Sequence, residues 1–146
     1  MTRETYLQMT TRHRSELDAL PIQWAFGKEQ AEEALKALGV EPGKGSDIEL
    51  VRIPGGGICT KETAQQLSDM LNRHSAEHKA LMDADTTGEG FIFDMFDYEL
   101  ANHEYCVTHD VEPTLFALDI TLEEVEKSPA LQHGLKLAIK ENREEL

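Results

Sequence analysis

The segment that begins at Phe91 constrains the fold most, because apolar side chains cover most sides of the helix that it predicts. At helical spacing its two apolar flanks consist of Phe91, Met95, Tyr98, Phe93, Phe96 and Leu100. Asp94 and Asp97 lie along the remaining edge, where we expect them to face solvent. A helix that is apolar on most sides is usually buried among other elements. The sequence therefore predicts a central position for this helix.

Periodicity and chain breakers predict a mostly helical chain with a small sheet. Helical spacing is found at 3–19, 28–38 and 60–83, from Phe91 onward, and in three short C-terminal segments that begin near Pro113, Thr121 and Pro129. Strand patterns are found at 22–26, 48–53 and 58–59. We therefore predict a helix-rich α+β fold, forming a single domain over 1–146, with an antiparallel sheet of two to three strands.

The charge distribution restricts the partners of the protein. Between Ala80 and Glu126 the chain has no lysine and no arginine but 13 aspartates and glutamates, and the net charge of the whole chain is −14. We call Ala80–Glu126 the cation-free stretch. Nucleic acids are bound largely through cations, and anionic membranes attract basic segments. The sequence therefore predicts no nucleic-acid and no membrane partner. It leaves open a basic protein, metal cations, mimicry of nucleic acid, or a merely solvated surface.

Cysteine use and hydropathy indicate a cytoplasmic protein. Cys59 and Cys106 form no CxxC pattern, and both have apolar neighbours, so we expect reduced and mostly buried thiols. The first residues lack an apolar signal core, and no segment approaches the roughly 18 apolar residues that a membrane span needs.

The most specific metal-like pattern is H-x-x-E-H, formed by His74, Glu77 and His78. Side chains four apart on a helix share a face, so both imidazoles could reach one ion, with Glu77 beside them as a base. His103 or Glu104 could complete such a zinc site if the two helices pack antiparallel. The alternative is that the histidines line the core with their nitrogens hydrogen-bonded. No other pattern indicates a catalytic residue.

The string YELANHEY at Tyr98–Tyr105, within a segment that begins FIFDMFD at Phe91, resembles a family of small uncharacterised proteins. These proteins are encoded by phages and mobile elements of Gram-positive bacteria. The resemblance extends to Thr114–Leu118 and, in type, to the earlier strand, helix and glycine-rich turn. It implies an accessory protein without an established activity. If the string is the family's hallmark, Asn102, His103 and Glu104 are the first residues to test.

Three functional hypotheses follow from the sequence. The leading one is a non-catalytic interaction protein whose acidic second half binds a basic host or phage protein. The second is a zinc-binding protein or metal-dependent enzyme that uses His74, Glu77 and His78 with His103 or Glu104. The third is a DNA mimic that blocks a nucleic-acid-binding enzyme, which requires carboxylates spaced like phosphates.

Overall fold

The computed structural model describes residues 3–25, 27–39 and 50–144, and the described residues form eight helices and three strands. The helices are α1 (Tyr6–Asp18), α2 (Lys28–Ala37), α3 (Lys61–Ala84), α4 (Phe91–Asn102), α5 (Tyr105–Thr108), α6 (Glu112–Leu118), α7 (Leu122–Lys127) and α8 (Pro129–Glu144). The strands are β1 (Gln23–Trp24), β2 (Leu50–Ile53) and β3 (Gly57–Thr60). The prediction of a helix-rich α+β fold is confirmed.

The chain divides into two compact units. The first unit comprises Met1–Arg12 and Ala76–Leu146, and the second comprises His13–Ser75. The boundaries fall inside α1 and inside α3. The prediction of a single domain stays a prediction.

The second unit contains the antiparallel sheet, whose strand order is β1-β3-β2. Gly55 and Gly56 adopt positive φ angles of 95° and 92° in the turn between β2 and β3, a conformation that glycine tolerates. Gly57 pairs with both outer strands, and a side chain there would overlap Ile53. The predicted third strand is confirmed. The predicted strand residues at 26, 48 and 49 lie outside the described residues.

The first unit is built around α4, as predicted. Ile92, Met95, Phe96 and Leu100 are buried in one apolar core. The other buried members of this core are Tyr6, Met9, Tyr105, Leu115, Leu118, Ile120, Val125, Leu131, Leu135 and Ala138. Burial of apolar area on this scale is the main stabilising contribution to such a unit.

The predicted faces of α4 are only partly right. Tyr98 was expected on an apolar flank, but 45% of it is exposed. Glu99 is buried instead, with only 8% exposed. Periodicity identifies the neighbours along a face but does not identify which edge of a nearly all-apolar helix faces water.

Two glycines let the loop before α4 contact α8 closely. Gly88 has a φ of 84°, and a side chain there would overlap the carbonyl group of Ala130. A side chain at Gly134 would overlap Ile92 and the carbonyl oxygen of Gly88. The first turn of α4 is therefore held against α8 by a backbone contact that any larger residue at position 134 would disturb.

Side-chain caps define several helix starts that the sequence predicts. The N–H of Thr63 donates to Thr60 Oγ1 at 3.1 Å, before α3. The N–H of Glu124 donates to Thr121 Oγ1 at 3.1 Å, before α7. Ser128 Oγ accepts from Leu131 in the same way at the start of α8. These bonds satisfy amides that a helix end would otherwise leave unpaired.

Helix α5 was not predicted. It is a single turn, bounded by Glu104 and His109 in the left-handed conformation, with φ angles of 57° and 56°. Nothing in the local periodicity marks such a short element.

Both cysteines are free. Cys59 is buried and burial raises the pKa of its thiol, which makes it a poor nucleophile. Cys106 is half-buried, so the predicted burial is confirmed for Cys59 and only partly for Cys106. None of the described helices combines the length and the apolar character needed to cross a bilayer.

Candidate functional site

A buried carboxylate lies at the centre of the YELANHEY segment. Glu99 Oε1 accepts a hydrogen bond from the hydroxyl group of Tyr6 at 3.1 Å. Glu99 Oε2 lies 3.3 Å from His103 Nε2, one helical turn further along α4. We call Tyr6, Glu99 and His103 the buried carboxylate cluster. It joins α1 to α4 inside the first unit.

Tyr6 and His103 differ in how they contact the Glu99 carboxylate. His103 Nε2 is buried and has no well-oriented hydrogen bond among the described residues, although it lies close to Glu99. The contact is therefore a charge interaction when the imidazole is protonated, rather than an aligned hydrogen bond. Among the described side chains outside α4, only that of Tyr6 donates a well-oriented hydrogen bond to the Glu99 carboxylate.

The environment keeps the Tyr6 hydroxyl protonated. Burial raises the pKa of Tyr6 well above its ordinary value, and the negative charge of Glu99 raises it further. Because its pKa is raised, the phenol stays protonated and remains a hydrogen-bond donor across the physiological pH range. A buried charge without such a donor would be costly.

Further contacts fix the cluster in place. The hydroxyl group of Thr114 on α6 donates to the backbone carbonyl of Glu99 at 3.3 Å. The Tyr6 ring lies against the rings of Phe91 and Tyr98, with centroids 5.9 Å and 5.8 Å away. These contacts are those of an interior support that orders α1, α4 and α6.

Only one of the three predicted motif residues belongs to this cluster. His103 does, whereas Asn102 and Glu104 are exposed. Glu104 stands at the left-handed position before α5. Glu99 and Tyr6 were missed. The four-residue spacing from Glu99 to His103 was a readable signal, but Tyr6 lies 93 positions away from Glu99 and no local pattern links the two.

His74 belongs to a different group in the second unit. It is buried, and its Nε2 lies 3.1 Å from Glu16 Oε2. Its ring stacks on that of His13 with centroids 3.7 Å apart and 9° between the planes. Glu16 also forms an ion pair with Arg73. His74 is thus engaged by an acid and an aromatic ring.

Glu77 and His78 have other partners within the first unit. Glu77 Oε2 forms an ion pair with Arg12 at 2.9 Å. His78 Nε2 lies 3.0 Å from the sulfur of Met95. Within residues 3–25, 27–39 and 50–144, no group of three or more His, Cys, Asp or Glu side chains is arranged to hold a metal ion. The zinc hypothesis stays a prediction.

Asp85 organises the loop before α4. Its Oδ1 accepts from the N–H of Gly88, and its Oδ2 accepts from the N–H groups of Gly90 and Ile92, each at 3.0 Å. Burial alone would raise the pKa of Asp85, but these three bonds, with one from the Thr87 hydroxyl, outweigh burial and lower the pKa. This role of Asp85 was not predicted from the sequence.

The cation-free stretch presents most of its acids to solvent. Ten of its 13 acids are exposed: Asp83, Glu89, Asp94, Glu104, Asp110, Glu112, Asp119, Glu123, Glu124 and Glu126. Among the described residues, lysines pair with just two of these ten, in Lys79–Asp83 and Lys127–Glu123. Glu89 lies 3.3 Å from His133. The rest of this surface has little internal neutralisation.

Asp94, although exposed as a residue, has a carboxyl group that is partly shielded from water. This desolvation raises the pKa of Asp94, and the negative charges of Asp97 and Asp85 raise it further. Asp97 itself accepts a hydrogen bond from the side chain of Asn142 on α8 at 3.0 Å.

Comparison with known proteins gives a family but no activity. No curated protein and no solved structure matches the chain significantly. The model of a family of unknown function, DUF7659, matches residues 5–141. Because this match spans nearly the whole sequence, from before α1 into the last turns of α8, the chain belongs to the family of unknown function DUF7659.

Proposed function

We propose that this protein is a non-catalytic interaction protein whose cation-free stretch binds a lysine- or arginine-rich protein. The observation that carries the proposal is the exposure of ten acids in this stretch, only two of which pair with lysines among the described residues. The buried polar groups of the first unit form hydrogen bonds that hold its helices together. The exposed acidic surface is therefore the better candidate for function.

Electrostatics supports a basic partner over an anionic one. Exposed like charges repel each other, and a cationic surface would relieve that repulsion on contact. Such contacts steer association and weaken as salt screens them, with a Debye length of about 8 Å at physiological ionic strength. Duplex DNA or an anionic membrane would add to the repulsion instead.

The biological setting is part of the same proposal. The resemblance of Tyr98–Tyr105 to phage and mobile-element proteins supports an accessory, cytoplasmic protein of such an origin. The partner would then be a basic host or phage protein. The zinc and DNA-mimic hypotheses have no specific structural observation in their favour.

The test is a matched pair of charge reversals. Glu112→Lys with Glu126→Lys changes two exposed acids of the cation-free stretch. Glu29→Lys with Glu33→Lys is the control, since it makes the same change in net charge on two exposed acids of α2. Binding of a fluorescent oligolysine peptide to the full chain is followed by anisotropy at low and at physiological salt.

We expect the first variant to weaken oligolysine binding by about tenfold and the control by less than about threefold, because local charge pairs dominate once salt screens the rest. Equal losses in both variants would show that only net charge matters. Absence of saturable binding at low salt would refute the proposal, as would tight binding of duplex DNA by the unmodified protein.

A further inference from the structure

Phe116 is the most exposed large apolar side chain among the described residues. It is 90% exposed, whereas its neighbours Leu115 and Leu118 on the same helix belong to the buried core. α6 therefore packs its inner face fully and leaves a phenyl ring in water. An exposed aromatic ring buries little apolar area on folding, but it can supply a large contact area to a partner at little entropic cost.

The neighbouring helices also expose apolar side chains. Val107 on α5 is 72% exposed, and Leu122 at the start of α7 is 50% exposed. Isolated surface apolar residues are ordinary, but here three consecutive helices present one each.

One carboxylate precedes Phe116 and another follows it along the chain. Glu112 lies one turn before Phe116 on α6, so helical spacing places these two toward the same side. Asp119 follows directly after α6 as its C-cap residue, with a φ of 55°. Both acids are exposed, and neither forms an ion pair with another described residue. We call Glu112, Phe116 and Asp119 the outer face of α6.

The combination of an exposed phenyl ring with exposed carboxylates restricts which kind of molecule can bind to the outer face of α6. A second copy of the chain would bring a further net charge of −14 to an already acidic surface. A wholly apolar partner would strip water from the carboxylates without replacing its hydrogen bonds. A basic amphipathic segment avoids both the charge repulsion and the loss of hydrogen bonds, because its apolar side chains cover the ring while its lysines or arginines face the acids.

We infer that the outer face of α6 is the docking site for a basic amphipathic helix of the partner protein, with Phe116 as its apolar anchor. The inference rests on the proposed function and adds the place and the chemistry of recognition. Interfaces commonly concentrate their affinity in a few central aromatic residues, while surrounding charges set orientation and association rate.

The experiment uses two probes and one substitution at the ring. The first probe is a helical peptide of lysine, leucine and tryptophan with one apolar face, and the second is an oligolysine of equal charge. Phe116→Ser removes the anchor. Leu71→Ser is the matched control, since Leu71 is a half-exposed apolar residue of α3 in the second unit. Thermal melts followed by circular dichroism verify that both variants are folded.

We expect Phe116→Ser to weaken binding of the amphipathic peptide by about tenfold or more and to leave oligolysine binding within about twofold. Leu71→Ser should change neither. Phe116→Trp should retain the affinity of the unmodified protein.

The outcomes separate this inference from the proposed function. If Phe116→Ser binds the amphipathic peptide normally while Glu112→Lys with Glu126→Lys binds oligolysine poorly, the docking inference is wrong and the proposed function stands. If the unmodified protein binds neither peptide at low salt, both are wrong.

Discussion

Around α4 the carboxylates of Asp85 and Glu99 accept hydrogen bonds from the protein, whereas on the outer face of α6 those of Glu112 and Asp119 face water. Each pair consists of one aspartate and one glutamate. The pairs differ in whether the protein supplies hydrogen-bond donors to their carboxylates. Inner carboxylates complete a loop and join helices, so their loss should destabilise the first unit. Among the described residues these outer carboxylates form no hydrogen bond or ion pair, so their loss should be felt mainly in binding.

The largest effect should follow from Asp85→Ala. Three backbone N–H groups would lose their acceptor at the start of α4, including that of Ile92 in the core. We expect a loss of about 2–4 kcal/mol in the free energy of unfolding, since hydrogen bonds to a charged group contribute about 1.5–3 kcal/mol each and water replaces some of them. Urea denaturation measures the loss.

The matched control is Glu89→Ala in the same loop, where the carboxylate is exposed. Its effect should stay within about 0.5 kcal/mol. If both substitutions cost the same, the distinction between inner and outer carboxylates fails at its strongest point.

A decrease in pH should remove the stabilising contribution of the Asp85 carboxylate without changing the volume of the side chain. The folded state lowers the pKa of Asp85 below its ordinary value of 3.8. The stability from this group is therefore complete above the unfolded pKa and is lost as pH falls through the lower folded pKa. Asp85→Asn does not titrate at this position, so the stability difference between the two proteins should shrink as the pH is lowered below about 4. A difference that stays constant down to about pH 2 would contradict this account.

Tyr6→Phe tests the buried carboxylate cluster. The substitution removes the hydroxyl group that donates to Glu99 and leaves the carboxylate without that donor. We expect a cost of about 1–3 kcal/mol, measured by thermal and urea unfolding. Tyr98→Phe serves as the control, since Tyr98 is half-exposed and should lose less than about 0.5 kcal/mol. Equal losses in the free energy of unfolding would mean that the hydrogen bond from Tyr6 to Glu99 does not stabilise the fold.

The smallest effect on stability should come from the exposed acids of the cation-free stretch. Glu112→Lys with Glu126→Lys should change the free energy of unfolding by less than about 0.5 kcal/mol, because both side chains are exposed in a strongly acidic surface. Urea unfolding checks this, and a loss above about 1 kcal/mol would place these acids in the structural group instead.

Local chemistry explains which parts of the fold were predictable. Thr60, Thr121 and Ser128 cap their own helices, so each start follows from a few adjacent residues. The glycine turn after β2 needs only its own backbone freedom. α5 was missed because one turn between two left-handed residues has no periodicity to detect.

The candidate site was less predictable because its partners are distant in sequence. His103 was identified from a string, but its neighbour Glu99 is recognisable as buried only once α1 brings Tyr6 onto α4. Likewise, Phe116 has the same apolar character as Leu115, and only packing determines that one is buried and the other exposed.

By itself the sequence determined the helix-rich composition of the fold, the caps and turns, and the absence of cations between Ala80 and Glu126, since all of these depend on neighbours along the chain. Only the tertiary structure decided which carboxylates have donors and which face water. The physical reason is that burial is a property of packing between distant segments, and the charge of a side chain does not reveal whether the fold will supply it with a partner.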